Sequence, residues 1–146
     1  MKQTKIKKEK ILFIDSEGGH GGASRSLFYM VSNLSKKRFT SHVICRKNSF
    51  IVKEYQKKKI NCTVKNNIPK LTSVKREAVN FYSVLKFVFY DWLKSYKFRI
   101  YLRKMSADYD YIHFNHINLF LLAYWLKIKN PIVKISMHIR TNPYPN

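Results

Sequence analysis

All four glycines of this 146-residue chain fall within five consecutive positions, residues 18–22 (GGHGG). The segment follows a short apolar run, Lys10–Asp15 (KILFID), and precedes Ala23–Leu34, where apolar residues recur at helical spacing. A buried strand, a glycine-rich turn and an amphipathic helix are typical of the first unit of a parallel α/β sheet. The glycine cluster therefore constrains the fold more than any other feature of the sequence.

The rest of the chain alternates short apolar runs with amphipathic segments. Further strands are predicted at Ser41–Arg46, Asn61–Val64, Asp110–Asn115 and Pro131–His138, and further helices at Ile51–Lys59, Phe81–Met105 and Ile117–Ile128. Residues 65–80 show no clear period and predict a loop, which we expect to be mobile. Strands that alternate with helices predict an α/β fold with a doubly wound, mainly parallel, Rossmann-like sheet. Residues 1–146 are expected to form a single domain.

The charge of the chain is strongly positive. Lys and Arg outnumber Asp and Glu by 29 to 8, which gives a formal net charge of +21. Such a surface attracts nucleic acid, anionic lipid or phosphorylated small molecules. No RNP, helix-turn-helix or zinc-finger motif is found, so nucleic acid is not expected as a partner. A lysine-rich coding bias is the alternative explanation, although glutamate has not risen with lysine.

Targeting and redox features indicate a cytoplasmic protein. Cys45 and Cys62 lie in apolar segments without CxxC spacing, which favours reduced thiols over a disulfide framework. No secretion signal is predicted, because the apolar run after the basic start is interrupted at Asp15. The apolar stretch Leu119–Leu126 is far shorter than the ~20 residues that span a bilayer.

The glycine loop is a candidate anion site. Glycines there allow positive φ and close approach of a ligand, and the following helix offers free N–H groups and the positive end of its dipole. The alternative is a simple tight turn, for which one or two glycines would suffice. The candidate residues of the loop are Gly18, Gly19, Gly21, Gly22 and Ser24.

The motif G-x-G-x-x-G is the sequence fingerprint of a dinucleotide-binding site. Its glycines would fall on Gly19, Gly21 and Ser24, so the third glycine is missing. The second strand ends in Arg46 rather than in an acid that could hold ribose hydroxyls. NAD is therefore disfavoured, whereas NADP stays open through Arg46.

Polar residues follow the fourth and fifth strands at their carboxyl ends, where open α/β sheets bind ligands. They are His113, Asn115, His116, His138 and Arg140. His113 could equally be a hydrogen-bonded core histidine, while His138 is favoured as functional. No metal is expected, because the histidines lack carboxylate or thiolate companions at ligand spacing. Without a GxSxG motif, and with eight acids in the chain, serine hydrolase and paired-carboxylate chemistry are disfavoured.

The predicted helix Phe81–Met105 carries nine of the 22 aromatic residues, interleaved with basic ones. It could be a core helix with a solvated lysine face, or it could lie on an anionic membrane. We favour a helix that joins the core and also contacts a surface. A non-enzymatic basic module that binds anionic membrane or nucleic acid is the corresponding alternative function.

Three segments resemble family 4-like (group 1) glycosyltransferases of the GT-B fold. KILFIDSEGGHGGASRSLFYMVSNL resembles the opening of that family, with its first strand and glycine-rich loop. DYDYIHFNHINLFLLAYWL is similar to the fourth strand and following helix, and VKISMHIR to a later strand ending in a histidine. The resemblance implies a nucleotide-sugar-dependent transferase, of which this chain would be the N-terminal, acceptor-binding half.

The resemblance also implies roles for individual residues. The loop residues Gly18, Gly19, Gly21, Gly22 and Ser24 would lie near the donor phosphates, His138 would be the active-site histidine, and His20, Asn115, His116 and Arg140 would line the acceptor side. The co-substrate would be a nucleotide sugar and the acceptor a glycan or a lipid-linked molecule. The family's second half is absent from the sequence, so we expect an incomplete domain that needs a C-terminal half or partner subunit and is inactive alone. Peripheral contact with the inner face of an anionic membrane is also expected.

Overall fold

The computed structural model describes residues 7–17, 19, 21–69 and 85–139. Its centre is a five-stranded sheet in the order β3-β2-β1-β4-β5, in which every neighbouring pair is parallel. The strands are β1 (Glu9–Asp15), β2 (Phe39–Cys45), β3 (Asn61–Val64), β4 (Tyr111–Phe114) and β5 (Lys134–Met137). The predicted α/β fold with a doubly wound, Rossmann-like sheet is confirmed.

Helices follow the strands in alternation. They are α1 (Gly22–Asn33), α2 (Phe50–Lys57), α3 (Trp92–Lys94), α4 (Tyr96–Ser106) and α5 (Phe120–Lys129). A π-helical turn, Phe87–Asp91, leads directly into α3, and a 3₁₀ turn, Ile117–Leu119, leads into α5. Since α4 and α5 pack against the opposite side of the sheet from α1 and α2, both faces of the sheet are covered.

Alternation along β1 divides the core into two clusters. Leu12 and Ile14 point to one face, where residues of α4 and α5, such as Leu102 and Leu122, pack on them. Phe13 points to the other face, where α1 and α2 contribute Leu27 and four further buried side chains. Those four are Val31, Ile51, Val52 and Tyr55. Both faces of the sheet are thus buried from solvent, as the near-continuous apolar runs of the strands predict.

Two predicted elements differ from those observed. The long helix predicted to Met105 is interrupted at Ser95, whose hydroxyl donates to the Trp92 carbonyl oxygen at 2.7 Å. Its first residues, 81–84, lie outside the described part of the chain. The strand predicted from Pro131 begins only at Lys134, which pairs with Tyr111, the first residue of β4. Residues before Lys134 have no partner in that ladder, and proline cannot donate to one.

The predicted loop is described only in its first five residues. Residues 65–69 are irregular, and they start with a hydrogen bond from the Lys65 N–H to the Cys45 carbonyl oxygen at 2.9 Å. Ile68 is 1% exposed and belongs to the core beneath α4 and α5. Residues 70–80 lie outside the described chain, and the mobility expected there stays a prediction.

Cys45 and Cys62 are free thiols on neighbouring strands, as expected. Their sulfur atoms are 3.7 Å apart. The hydrogen bond with Cys62 raises the pKa of the Cys45 thiol, and the complete burial of that thiol raises it further. The same hydrogen bond lowers the pKa of the half-buried Cys62. The first proton therefore leaves Cys62, whose thiolate Cys45 then stabilises as a donor.

Candidate functional site

The candidate site lies at the carboxyl edge of the sheet. Ile14, Phe114 and Met137 stand opposite one another in three neighbouring strands. One position further along, Asp15, Asn115 and His138 consequently form a row across the edge, with about 5 Å between neighbouring strands. The Asn115 N–H donates to the Ile14 carbonyl oxygen at 3.0 Å, and the His138 N–H donates to the Phe114 carbonyl oxygen at 2.9 Å. These two backbone hydrogen bonds extend the ladder to the site residues.

The glycine loop joins β1 to the N-terminus of α1. Gly21 precedes the helix in an extended conformation, with φ −64° and ψ 154°. Its carbonyl oxygen accepts from the Arg25 N–H at 3.2 Å, which closes the first helical turn. The Gly19 N–H donates to the hydroxyl oxygen of Ser24 at 3.4 Å. Ser24 is fully buried, so its side chain ties the loop to the helix from within.

The conformation of the loop corrects one reason given for its glycines. Gly19, Gly21 and Gly22 do not have φ in the left-handed region, so positive φ does not explain them. Space around a Cβ atom distinguishes them instead. A Cβ on Gly21 would lie 3.1 Å from Glu17 Oε2, whereas a Cβ on Gly22 would meet no atom of the described residues within 4 Å. Gly22 therefore leaves open space at the N-terminus of α1.

Asn115 connects β4 to the glycine loop. Its side-chain amide donates to the Ala23 carbonyl oxygen at 3.2 Å and to Asp15 Oδ1 at 3.4 Å. Both Asp15 and Asn115 are 0% exposed. The same Asp15 oxygen accepts from the Glu17 N–H at 3.1 Å. Asn115 thus holds the start of α1 against β1, and its expected role on the acceptor side stays a prediction.

Asp15 was not among the site residues predicted from the sequence. The structure shows that its carboxyl group is the buried centre to which the loop and β4 are both attached. Its backbone also takes part, since the Arg46 N–H donates to the Asp15 carbonyl oxygen at 3.1 Å. An acid directly at the end of an otherwise apolar strand is the sequence signal that could have revealed it.

Three histidines lie near this edge on β4, β5 and the turns after them. His116 Nδ1 accepts from the Asn118 N–H at 3.1 Å and so caps the 3₁₀ turn. His113 Nδ1 is 2.9 Å from the Ser136 hydroxyl oxygen. The rings of His113 and His138 meet edge to face, with 6.3 Å between their centroids. His138 is half-buried, one residue beyond β5.

A groove of about 440 Å³ opens at the carboxyl ends of β2 and β3. Its lining includes Arg46, Asn66, Asn67 and Lys94. Of these four residues, Arg46 alone was predicted from the sequence to bind a ligand. The groove offers cationic and amide groups, the types of group that bind phosphate and sugar hydroxyls, beside the carboxyl group of Asp91.

Three of the predicted site residues, Gly18, His20 and Arg140, lie outside the described residues. The roles expected for these and for the other predicted residues stay predictions. Within residues 7–17, 19, 21–69 and 85–139, no cluster of three histidine, cysteine or acidic side chains is arranged to hold a metal ion.

Comparison with known proteins gives one informative likeness. No protein-family model matches the sequence, and no curated protein matches it either. Among solved structures, the chain is similar to the crystal structure of Anabaena Alr3699/HepE in complex with UDP and glucose, with a TM-score of 0.59 and 15% sequence identity. The likeness covers 89% of this chain and 29% of the HepE chain.

This likeness is one of fold. At 15% identity it shows that nearly the whole chain adopts the same α/β architecture as part of the HepE chain. The chain spans less than a third of that protein's length. The architecture is the one expected for one half of a GT-B glycosyltransferase, which was the fold implied by the resemblance of the three sequence segments.

Proposed function

We propose that this chain is the N-terminal, acceptor-binding half of a glycosyltransferase. The whole enzyme would transfer a sugar from a nucleotide-sugar donor to a cell-envelope or polysaccharide acceptor, either a glycan or a lipid-linked molecule. The observation that carries the proposal is the likeness of 89% of the chain to a protein crystallised with UDP and glucose. The segments that resemble the glycosyltransferase family support it independently.

The glycine loop suits the donor end of such a reaction. Transfer from a nucleotide sugar releases a nucleoside diphosphate, whose growing negative charge must be stabilised. The N-terminus of α1 supplies the positive end of the helix dipole, and among the described residues no atom occupies the space beside Gly22, which leaves room for a phosphate to approach. We assign Gly18, Gly19, Gly21 and Gly22 to this task, with Ser24 fixing the loop from inside.

The row at the edge of the sheet suits the sugar and the acceptor. His138 is the proposed active-site group near the transferred sugar, because it lies at the carboxyl end of a strand on the same edge as the glycine loop. We propose that His20, Asn115, His116 and Arg140 belong to the acceptor side. Asn115 would act by positioning, through its hydrogen bonds to Asp15 and Ala23.

In this proposal the chain works together with a second domain or subunit. The donor would be held mainly by that second half, so the isolated chain would bind ligands weakly and transfer no sugar. A lipid-linked acceptor is presented at a membrane, so the proposed location is cytoplasmic, at the inner face of the membrane.

The glycine loop is tested by Gly22→Val. A Cβ atom at this position would meet no atom of the described residues within 4 Å, so we expect the fold to accept valine there. We expect the affinity for UDP, measured by titration calorimetry, to fall at least about tenfold, while the thermal midpoint stays unchanged. Unchanged UDP affinity would mean that the loop is only a turn.

The role of His138 is tested in an enzyme reconstituted with a matching C-terminal half. We expect His138→Ala to lower the transfer rate about a hundredfold or more, as loss of one group that stabilises a transition state does. The neighbouring Ile139→Ala is the control, because Ile139 is 58% exposed and has no proposed role. Full activity of His138→Ala would refute the assignment, and lack of UDP-sugar or acceptor binding by the reconstituted enzyme would refute the proposed function.

An NADP-binding domain is the second candidate. The sheet order β3-β2-β1-β4-β5 is also that of dinucleotide-binding folds, and Arg46 lines the groove where a 2′-phosphate would lie. NADPH fluorescence decides between the two candidates, since it should be unaffected by the protein if the first is correct.

A further inference from the structure

Two neighbouring helical segments expose apolar side chains on their outward faces. In the segment 87–106, the exposed apolar residues other than Tyr90, which lines the groove beside Arg46, are Val88, Phe89, Leu93, Tyr96 and Ile100. In α5 they are Phe120, Leu121, Tyr124 and Ile128. We call these nine residues the aromatic face.

The aromatic face follows helical spacing. Phe89, Leu93, Tyr96 and Ile100 stand at i, i+4, i+7 and i+11 in the sequence, and all four are exposed although a π-helical turn and the interruption at Ser95 lie within the segment. The inward side of the same segment is separate and carries the buried residues Phe87, Phe98 and Leu102. The segment is therefore apolar on two sides, one facing the core and one facing outward. Exposed patches of this kind mark interaction surfaces.

An apolar groove of about 270 Å³ runs between the two segments. Phe87, Val88 and Trp92 line it from one side, and four residues of α5 line it from the other. These four are Leu121, Tyr124, Trp125 and Ile128. The rings of Trp92 and Trp125 meet at right angles, with their centroids 6.4 Å apart. Both tryptophans of the chain thus lie in this one groove.

Arg99 fastens the two tryptophans. Its guanidinium lies 4.2 Å from the ring centroid of Trp92 and 5.5 Å from that of Trp125. It also donates to the Trp92 carbonyl oxygen at 3.1 Å. Desolvation by the surrounding rings lowers the pKa of Arg99. The groove is consequently a preformed feature, held by cation–π contacts.

The charge around the aromatic face indicates what covers it. The segments 85–106 and 117–130 contain Asp91 as their one acidic residue. Their basic residues are Lys86, Lys94, Lys97, Arg99, Arg103, Lys104, Lys127 and Lys129. Two copies of this face would repel each other across a shared interface, whereas an anionic surface would be attracted. Aromatic and aliphatic side chains framed by lysines are typical of helices that lie in the interface of an anionic bilayer.

We propose that the aromatic face binds the surface of an anionic phospholipid bilayer. The two segments would lie along the membrane, with the apolar side chains among the upper acyl chains and Lys86, Lys97 and Lys129 at the headgroups. Within the described residues, no helix is long and apolar enough to cross a bilayer. The face reaches the groove lined by Arg46 at Tyr90 and Lys94, so the headgroup layer would border the candidate site.

The inference rests on the proposed membrane location, and it is tested without any transfer assay, so it and the proposed function can fail separately. The full chain is mixed with vesicles of phosphatidylcholine alone or of equal parts phosphatidylcholine and phosphatidylglycerol. We expect cosedimentation and a blue shift of tryptophan emission with the anionic vesicles, and a loss of both as rising salt shortens the screening length from ~10 Å at 0.1 M to ~3 Å at 1 M.

Matched variants separate this face from the general charge of the protein. Lys86→Gln, Lys97→Gln and Lys129→Gln together should weaken binding about a hundredfold, since each lysine near an anionic surface contributes about fivefold. The control combines Lys37→Gln, Lys53→Gln and Lys58→Gln, which change three exposed lysines near α1 and α2. Equal losses in both triple variants would overturn the proposal in favour of unspecific charge attraction.

The apolar part has its own pair of variants. Phe89→Ser with Tyr124→Ser removes side chains that are 66% and 59% exposed, and the control, Phe50→Ser with Tyr29→Ser, removes the same residue types at 52% and 65%. We expect only the first pair to abolish the blue shift, with unchanged circular dichroism in both. Absence of vesicle binding, equal binding to uncharged vesicles, or a concentration-dependent blue shift without vesicles would each overturn the proposal, the last by showing a second copy on this face.

Discussion

The helices that cover the two faces of the sheet differ in how much apolar surface they expose to solvent. On one face, α1 and α2 expose Tyr29, Met30 and Phe50 as their large apolar residues, at separate positions. On the other face, α5 and the segment 87–106 expose the nine residues of the aromatic face, which lie on two neighbouring segments with an apolar groove between them. The inward sides do not differ in this way, since each buries a full apolar cluster. The difference thus lies outside the core, and core packing cannot explain it.

The comparison assumes equivalent packing on the inner sides, and Leu27→Ala and Leu122→Ala test this. Each leucine is 1% exposed, one beneath α1 and the other beneath α5. We expect each substitution to lower the free energy of unfolding in urea by about 2 to 5 kcal/mol, through lost burial and a residual cavity. A loss well below that range for Leu122→Ala alone would mean that the α5 side is loosely packed, and the comparison would fail.

The two faces meet at the hydrogen bonds of Asn115. Asn115→Ala removes the amide that joins β4 to Asp15 and to the start of α1, and we expect it to lower the free energy of unfolding by about 1 to 3 kcal/mol. The control is Asn118→Ala, because the side-chain nitrogen of Asn118 is buried without a hydrogen-bond partner among the described residues. That substitution should change stability by less than about 0.5 kcal/mol. Equal losses of stability in the two variants would show that the hydrogen bonds of Asn115 do not join the two faces.

His42 adds a titrating group on the α4 side of the sheet. Its ring nitrogens are 2.7 Å from the Tyr109 hydroxyl oxygen and 2.8 Å from that of Thr63, and burial lowers its pKa below 6.5. As the pH falls below 6.5, the folded protein therefore binds fewer protons at His42 than the unfolded chain does. The contribution of His42 to the free energy of unfolding is fully present above pH 6.5 and declines below it. The slope attributable to this one group is at most about 1.4 kcal/mol per pH unit. Urea denaturation at a series of pH values below 6.5 should show that the free energy of unfolding falls with pH in the native protein. The slope should be smaller in His42→Leu, and an unchanged slope in the variant would assign it to other groups.

The smallest effect is expected on the aromatic face itself. Leu93 is 63% exposed, so Leu93→Ser should change the free energy of unfolding by less than about 0.5 kcal/mol. Phe50→Ser on α2 serves as the comparison from the other face. A loss above about 1.5 kcal/mol for Leu93→Ser would show that the face is covered by packing within the chain, and the contrast between the two faces would vanish.

The order of the elements was predictable from the sequence because each strand is a short apolar run bounded by polar residues. The glycine cluster marked the passage from β1 to α1 to within one residue, and Asn61–Val64 was predicted with its observed bounds. The start of β5 was not predictable, because it depends on where β4 offers a partner, and Ile132 and Val133 look like strand residues in isolation.

The candidate site was predicted in part. Carboxyl ends of parallel strands meet at one edge, so Asn115 and His138 could be placed together from the sequence alone. The burial of Asn115 and the role of Asp15 could not, because they depend on a hydrogen bond between residues 100 positions apart. Likewise, the aromatic content of the predicted helix indicated both core and surface contact, but only the structure separates Phe98, which is buried, from Phe89, which is exposed.

The central position of β1 has a consequence for folding. Ile11 pairs with Ser41 on one side, 30 positions away, and with Tyr111 on the other, 100 positions away. Local contacts form before distant ones, because closing a longer loop sacrifices more chain entropy. The strands β1 to β3 with their two helices can therefore come together first, with the glycine loop already in place but without Asn115. The candidate site is then completed only when β4 and β5 join the sheet. A ligand that contacts residues after β1 and after β4 therefore binds only to chains that have finished folding.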